Sequence, residues 1–136
     1  MSRQMEKLKL RTKFILKIYA RFIPMVCIMG IIFYLSHQPG DFAPLPPFAG
    51  LDKLLHVIVY SILAGTFLYG LQPFVHNSNR SVIAVVIVLF CIIYGISDEF
   101  HQSFIPGRFS SIWDVLADGL GALLVVGWWL KRESKS

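Results

Sequence analysis

Apolar residues in this chain fall into four long blocks, covering about residues 18–35, 52–71, 81–102 and 110–130. They are not spaced as on an amphipathic surface helix, and long apolar runs are what hydrocarbon requires. At roughly 1.5 Å per residue, the second block spans about 30 Å, one bilayer core. The third is rich in Val and Ile, which would argue for a strand in a soluble protein, but its length decides for a helix. The pattern predicts an all-α membrane protein, a four-transmembrane-helix bundle forming one domain over residues 1–136.

The connections read differently. Residues 36–51 contain Pro39, Gly40, Pro44, Pro46, Pro47 and Gly50, which forbid a regular helix. Phe42, Leu45, Phe48 and Leu51 nevertheless make this loop apolar, so it is expected in the interface or folded over the helix ends. Pro73 is expected to stop the second helix before the polar turn His76-Asn77-Ser78-Asn79-Arg80. Pro106-Gly107 predicts a tight turn. Gly119, Gly121 and Gly127 are expected to let the fourth helix approach its neighbours closely. Trp128 and Trp129 fall where an interfacial aromatic belt belongs. The basic stretch before the first block resembles the start of a signal peptide. Ser36-His37-Gln38-Pro39 follows that block where a cleavage site would stand, so a retained anchor is expected, with Lys17 and Arg21 snorkelling to head groups.

Composition agrees: the chain is 55% hydrophobic with a mean hydropathy of +0.61, an average that soluble domains rarely sustain. The net charge of +5 raises nucleic acid as a partner, but the placement of the charges argues against it. Eleven of the thirteen basic residues lie in the N-terminus, the 73–80 turn and the C-terminus, beside apolar runs, as cytoplasmic anchors do. Four crossings put these three segments on one side, predicting an N-in/C-in topology. Cys27 and Cys91 lie inside apolar runs and mark neither a disulfide framework nor a zinc site.

Six of the eight acids then converge. Asp41, Asp52, Asp98, Glu99, Asp114 and Asp118 all fall at the outer loop or the outer helix ends, with Lys53 and Arg108 as the only basic residues there. Asp52, His56 and Tyr60 share one face of the second helix, Asp98 and Gln102 one face of the third, and Asp114 and Asp118 one face of the fourth. Charge inside a membrane needs partners, and Lys53 and Arg108 are the candidate counter-ions. Such a cluster can simply fix helix register. So many acids with so few partners stabilise a bundle poorly, however, and a carboxylate surplus fits a site awaiting a cation, a metal or a polar head group. Asp98, Glu99, His56, His101 and Asp114 are chemically competent metal ligands. Their spacing matches no metal motif, and the sequence assigns no cofactor. His37 and His76 read as solvated loop residues.

Three motifs now stand together: Asp52-Lys53-x-x-His56-x-x-x-Tyr60, Asp98-Glu99-x-x-Gln102-x-x-x-Pro106-Gly107-Arg108 and Asp114-x-x-x-Asp118-x-x-Gly121. With Ser36-x-Gln38-Pro39 before them, the stretch from about Phe33 to Gly121 resembles the VanZ-like family of small bacterial membrane proteins. The family usually has asparagine where this chain has Asp118. The family's namesake is associated with resistance to teicoplanin, a lipoglycopeptide.

The resemblance thus implies a multi-pass cell-envelope protein of the bacterial plasma membrane, with its motif residues at the outer cluster. The favoured function is binding of a lipid-linked or cationic ligand, such as a cell-wall precursor or the lipoglycopeptide itself. The residues are Asp52, Lys53, His56, Tyr60, Asp98, Glu99, Gln102, Arg108, Asp114 and Asp118. The alternative is a membrane enzyme acting on a lipid head group, with Asp98 or Glu99 as base, His56 as proton partner and Arg108 as anion clamp. A transporter fits worst, because the inner helix halves hold almost no polar groups. Membrane lipids are the expected surroundings; oligomeric state is open.

Overall fold

The computed structural model describes residues 3–40, 50–75 and 78–135. Asp41, most of the proline-rich loop and His76, all weighed above, lie outside the described residues. Five helices follow one another: α1 (Arg3–Ala20), α2 (Ile23–Ser36), α3 (Leu51–Val75), α4 (Arg80–Gln102) and α5 (Ile112–Glu133). Four helical spans are long and apolar enough to cross a membrane, α1 and α2 together making one of 34 residues. The all-helical, membrane-length reading of the sequence therefore holds.

The first block departs from expectation. Its helix does not start at residue 18. The chain turns at Arg21-Phe22, and α2 begins at Ile23 with Pro24 in its first turn. A proline has no N–H to continue a helix from the preceding turn but is tolerated at a helix start. The basic α1 ahead of it buries no residue.

Pro73 also behaves differently from expectation, for it lies inside α3, which runs on to Val75. Without an N–H at position 73, the carbonyl of Tyr69 loses its helical partner. Arg21 replaces it, its Nε donating to Tyr69 O at 3.1 Å while its guanidinium stacks 4.2 Å from the Tyr69 ring. This arginine, expected to snorkel, is thus part of the bundle.

The remaining helices start where short polar side chains cap them. Asn79 accepts from Ser81 N at 2.9 Å and opens α4; Ser111 Oγ accepts from Trp113 N at 3.2 Å and opens α5. These caps satisfy backbone donors that have no partner within the helix.

The helix α5 is the centre of the packing, lying most extensively against α3 and then α4. Close approach depends on Gly121: a Cβ there would run into Val57 O and the Ser61 backbone. Ser61 Oγ fastens the contact by donating toward Val57 O at 2.7 Å and Gly121 O at 3.1 Å. The three glycines are not equivalent, since Gly119 faces only the Ile92 side chain and Gly127 faces open space. Nor are the paired tryptophans alike. Trp128 is exposed beneath Arg132, but Trp129 turns into the core with Leu63, Ile87 and Val126.

The burial pattern is that of a membrane protein. Large apolar side chains such as Ile93, Phe100, Leu123 and Trp128 point outward. Inside, the buried polar residues are Ser36, Asp98, Glu99, Gln102, Asp114 and Asp118. They collect at the end of the bundle where α3 and α5 begin and α2 and α4 finish.

Candidate functional site

The helix starts and stops place each polar group at this end. The first turns of α3 and α5 supply Asp52, Lys53 and Asp114, with His56 and Asp118 one turn further in. Acids near a helix N-terminus sit favourably in its dipole. The last turns of α4 supply Asp98, Glu99 and Gln102, where the dipole disfavours negative charge. Those two acids must be held by something else.

Glu99 is held across the turn. Its Oε2 accepts the backbone N–H of Ser111 at 2.7 Å, satisfying a donor at the start of α5. The residue is only 4% exposed, and its other oxygen, Oε1, is buried without a partner. Asp98 accepts from Gln102 Nε2 at 3.1 Å, and Gln102 also reaches Ser36 Oγ at 3.3 Å, so α2 and α4 share one polar contact.

The centre of the cluster is the pair His56–Asp118. Nδ1 of His56 lies 2.8 Å from Asp118 Oδ1. Asp118 is 0% exposed, and its Oδ2 has no hydrogen-bond partner. That oxygen occupies the space where a Cβ on residue 95 would stand, so Gly95 makes room for the carboxylate. An ionised carboxylate only accepts, so Nδ1 is then the donor, and in a neutral imidazole Nε2 keeps its lone pair.

The two basic residues have separate tasks. Lys53 bridges Asp52 at 2.8 Å and Asp114 Oδ1 at 3.1 Å, as a counter-ion should. Arg108 pairs with none of the acids among the described residues. Its Nε donates to Gln38 O at 3.1 Å and its Nη2 to Leu35 O at 2.9 Å, adding side-chain donors to carbonyls where α2 ends. Gly107, at φ +74°, turns the chain so that Pro106 O accepts from Gly40 N at 3.1 Å. The expected counter-ion is therefore a clasp between the 105–108 turn and α2.

A cavity of about 390 Å³ opens among α2, α3 and α4. Asp52, His56, Tyr60, Asp98, Gln102 and Arg108 line its polar part, while Lys53, Glu99, Asp114 and Asp118 stand outside the lining. Tyr60 is 1% exposed with its hydroxyl unpartnered. The sequence reading did not include the apolar wall of Ile32, Leu35, Leu55 and Val59 or the polar Ser36. A leucine in an apolar helix carries no signal of facing a cavity, although Ser36 stood in the motif preceding the loop. A second feature also went unread: His37 Nδ1 lies 3.2 Å from His101 Nε2, with the Phe33 ring 4.8 Å from that of His101.

Membrane-length helices, an apolar exterior and a buried polar cluster at one end of the bundle define a multi-pass α-helical membrane protein with an internal polar site. The chain belongs to the VanZ/LLP1 family, whose model matches residues 19–131. That range contains every motif on which the resemblance rested. No curated protein and no solved structure matches the chain.

Proposed function

We propose that this protein binds a lipid-linked or cationic ligand at the polar end of its bundle, in the manner of a cell-envelope binding protein contributing to lipoglycopeptide resistance. The observation that carries the reading is the cavity itself. One wall is apolar and suits an acyl or prenyl segment. The other is formed by carboxylates, an imidazole and Tyr60, whose buried hydroxyl has no partner. An unsatisfied polar atom in such surroundings costs about 1–3 kcal/mol, a cost that a ligand removes on binding. In this reading the polar end faces outward, because the other end carries the basic tails and Arg80, as cytoplasmic ends do.

The test is teicoplanin susceptibility in a Gram-positive host. Wild-type protein is expected to raise the inhibitory concentration. Tyr60→Phe and Asp98→Asn, present in the membrane at wild-type level, are expected to return it to that of the empty vector. Undiminished resistance in both variants would remove the reading.

The pair His56–Asp118, at 2.8 Å, favours a second reading. A histidine oriented by a buried carboxylate is an acid–base group, and the protein would then act on a lipid head group. Its proton partner is Asp118, not Asp98 or Glu99. Turnover of extracted lipids by purified protein supports this reading; no turnover across phosphate, amine and sugar head groups sinks it.

A further inference from the structure

Three side chains from three helices point donor atoms at one small volume. Single ligand atoms of His56 on α3, Glu99 on α4 and Asp114 on α5 all lie within 4.8 Å of one another. Each of the three is also anchored to a neighbour through one of its polar atoms. His56 uses Nδ1 on Asp118, Glu99 uses Oε2 on the Ser111 N–H, and Asp114 uses Oδ1 on Lys53. Each residue keeps one further ligand atom, the second imidazole nitrogen of His56 and the second carboxylate oxygen of Glu99 and of Asp114. Glu99 Oε1 among them is buried with no partner at all, in a residue that is 4% exposed.

We infer that His56, Glu99 and Asp114 form a site for a divalent transition-metal ion of the Zn²⁺ or Mn²⁺ class. The chemistry matches, for one nitrogen and two carboxylate oxygens are borderline-to-hard ligands that these ions accept. The support around them matches as well. Metal-binding histidines donate their second N–H to a carboxylate, which fixes the tautomer and raises the basicity of the ligating nitrogen. Asp118, fully buried and 2.8 Å from His56 Nδ1, occupies that position. This accounts for its carboxylate without requiring it to touch the ligand.

The dimensions require a modest contraction. Ligand atoms about 2.0–2.2 Å from an ion lie about 3.4 Å apart in a tetrahedron, so separations of up to 4.8 Å must close by at most about 1.4 Å. Longer side chains accommodate this by rotation. Lys53 holds Asp114 in the absence of an ion, its ammonium supplying the positive charge; at 41% side-chain exposure it is free to swing to solvent. Three protein ligands leave at least one coordination position open, as in catalytic and substrate-binding zinc sites rather than structural ones. The open position suits an oxygen of a phosphate or carboxylate head group.

This inference rests on reading the polar end as a ligand site, but it uses residues outside the cavity lining except for His56. The experiment is metal binding by tag-free protein in lipid nanodiscs, stripped with chelator and titrated with Zn²⁺, then Mn²⁺. Bound ion is measured by elemental analysis and calorimetry. The expected result is one ion per chain, with affinity falling at least tenfold in Glu99→Gln and in Asp114→Asn. Asp118→Asn is expected to lose roughly tenfold to hundredfold, as loss of an orienting carboxylate does. Lys53→Met removes a competing cation and is expected to bind more tightly.

Substoichiometric binding to folded wild-type protein overturns the site. So does wild-type affinity in both Glu99→Gln and Asp114→Asn. If those two variants fail to fold, unchanged affinity in Lys53→Met overturns it instead. Gln102→Ala separates this from the proposed function, because Gln102 lines the cavity but contributes nothing to the triad. Loss of lipoglycopeptide binding there with the ion retained supports both. A stoichiometric ion in wild-type protein that binds no lipoglycopeptide supports the metal site and removes the ligand reading.

Discussion

A single missing methyl group decides where the most deeply buried acid of this protein can sit. Asp118 occupies the volume beside Gly95 that any larger residue would fill. Gly95→Ala is therefore expected to push the carboxylate off His56 or to strain α4. Overpacking of this kind costs roughly 1–3 kcal/mol, and the thermal midpoint of purified protein should fall accordingly. Gly127→Ala is the matched control. Nothing lies within 4 Å of a Cβ there, and alanine favours a helix over glycine by roughly 0.8–1 kcal/mol in a soluble host. Its midpoint should hold or rise. Equal losses in the two variants would show that the space beside Gly95 is not what matters. The acid Asp118 itself was legible in the sequence, as was its departure from the family's asparagine. Its partner was not, because His56 and Asp118 are 62 positions apart and only the packing of α3 on α5 joins them.

Among the elements, α3 shows how one residue's defect is corrected by another helix. Pro73 removes the donor for Tyr69 O, and Arg21 supplies a replacement. Arg21→Ala is expected to destabilise by roughly 0.5–1.5 kcal/mol, the net contribution of one hydrogen bond at an exposed site. Pro73→Ala restores an N–H in register with that carbonyl. In the Pro73→Ala background, then, Arg21→Ala should cost distinctly less. A double-mutant cycle of unfolding midpoints measures the difference; simple additivity would mean that the arginine bond and the proline are unrelated. The sequence showed Pro73 as a helix end because proline usually is one. A long-range donor can cancel that local rule, and nothing in the local pattern announces it. The deep position of Trp129 is of the same kind, since it depends on which face meets α3 and α4.

At the scale of the molecule, the charges divide. Arg80 pairs with Glu133 at 3.0 Å near the end of α5, beside Lys131 and Arg132. The opposite end collects the acids, clasped by Arg108 and by the Gly40–Pro106 bond. The distribution of Lys and Arg predicts that the first end is cytoplasmic. Cysteines placed at Ser78 and Ser134 should then react with membrane-impermeant maleimide only after the cells are opened. A cysteine at Ser110 should react in intact cells. Labelling of the first two in intact cells would invert the molecule and with it the proposed access of ligand from outside. The variants are made in a background with Cys27 and Cys91 replaced by serine and alanine.

The sequence alone determined the solvent and the skeleton. Long apolar runs leave few options for a backbone that must satisfy its own hydrogen bonds in hydrocarbon, so the number of membrane-length helical spans was readable from composition and length. The list of candidate site residues was readable too, since acids and histidines in apolar runs need partners. Only the tertiary structure decided how those residues divide. It placed Tyr60, Asp98 and Gln102 on a cavity, brought His56, Glu99 and Asp114 to one point, put Asp118 behind His56, and gave Arg108 to the carbonyls of α2 instead of to an acid. Spacing along a helix specifies a face, but which face meets which is set by close packing between helices. Here a glycine at 121 and a glycine at 95 permit the approaches that assemble the site.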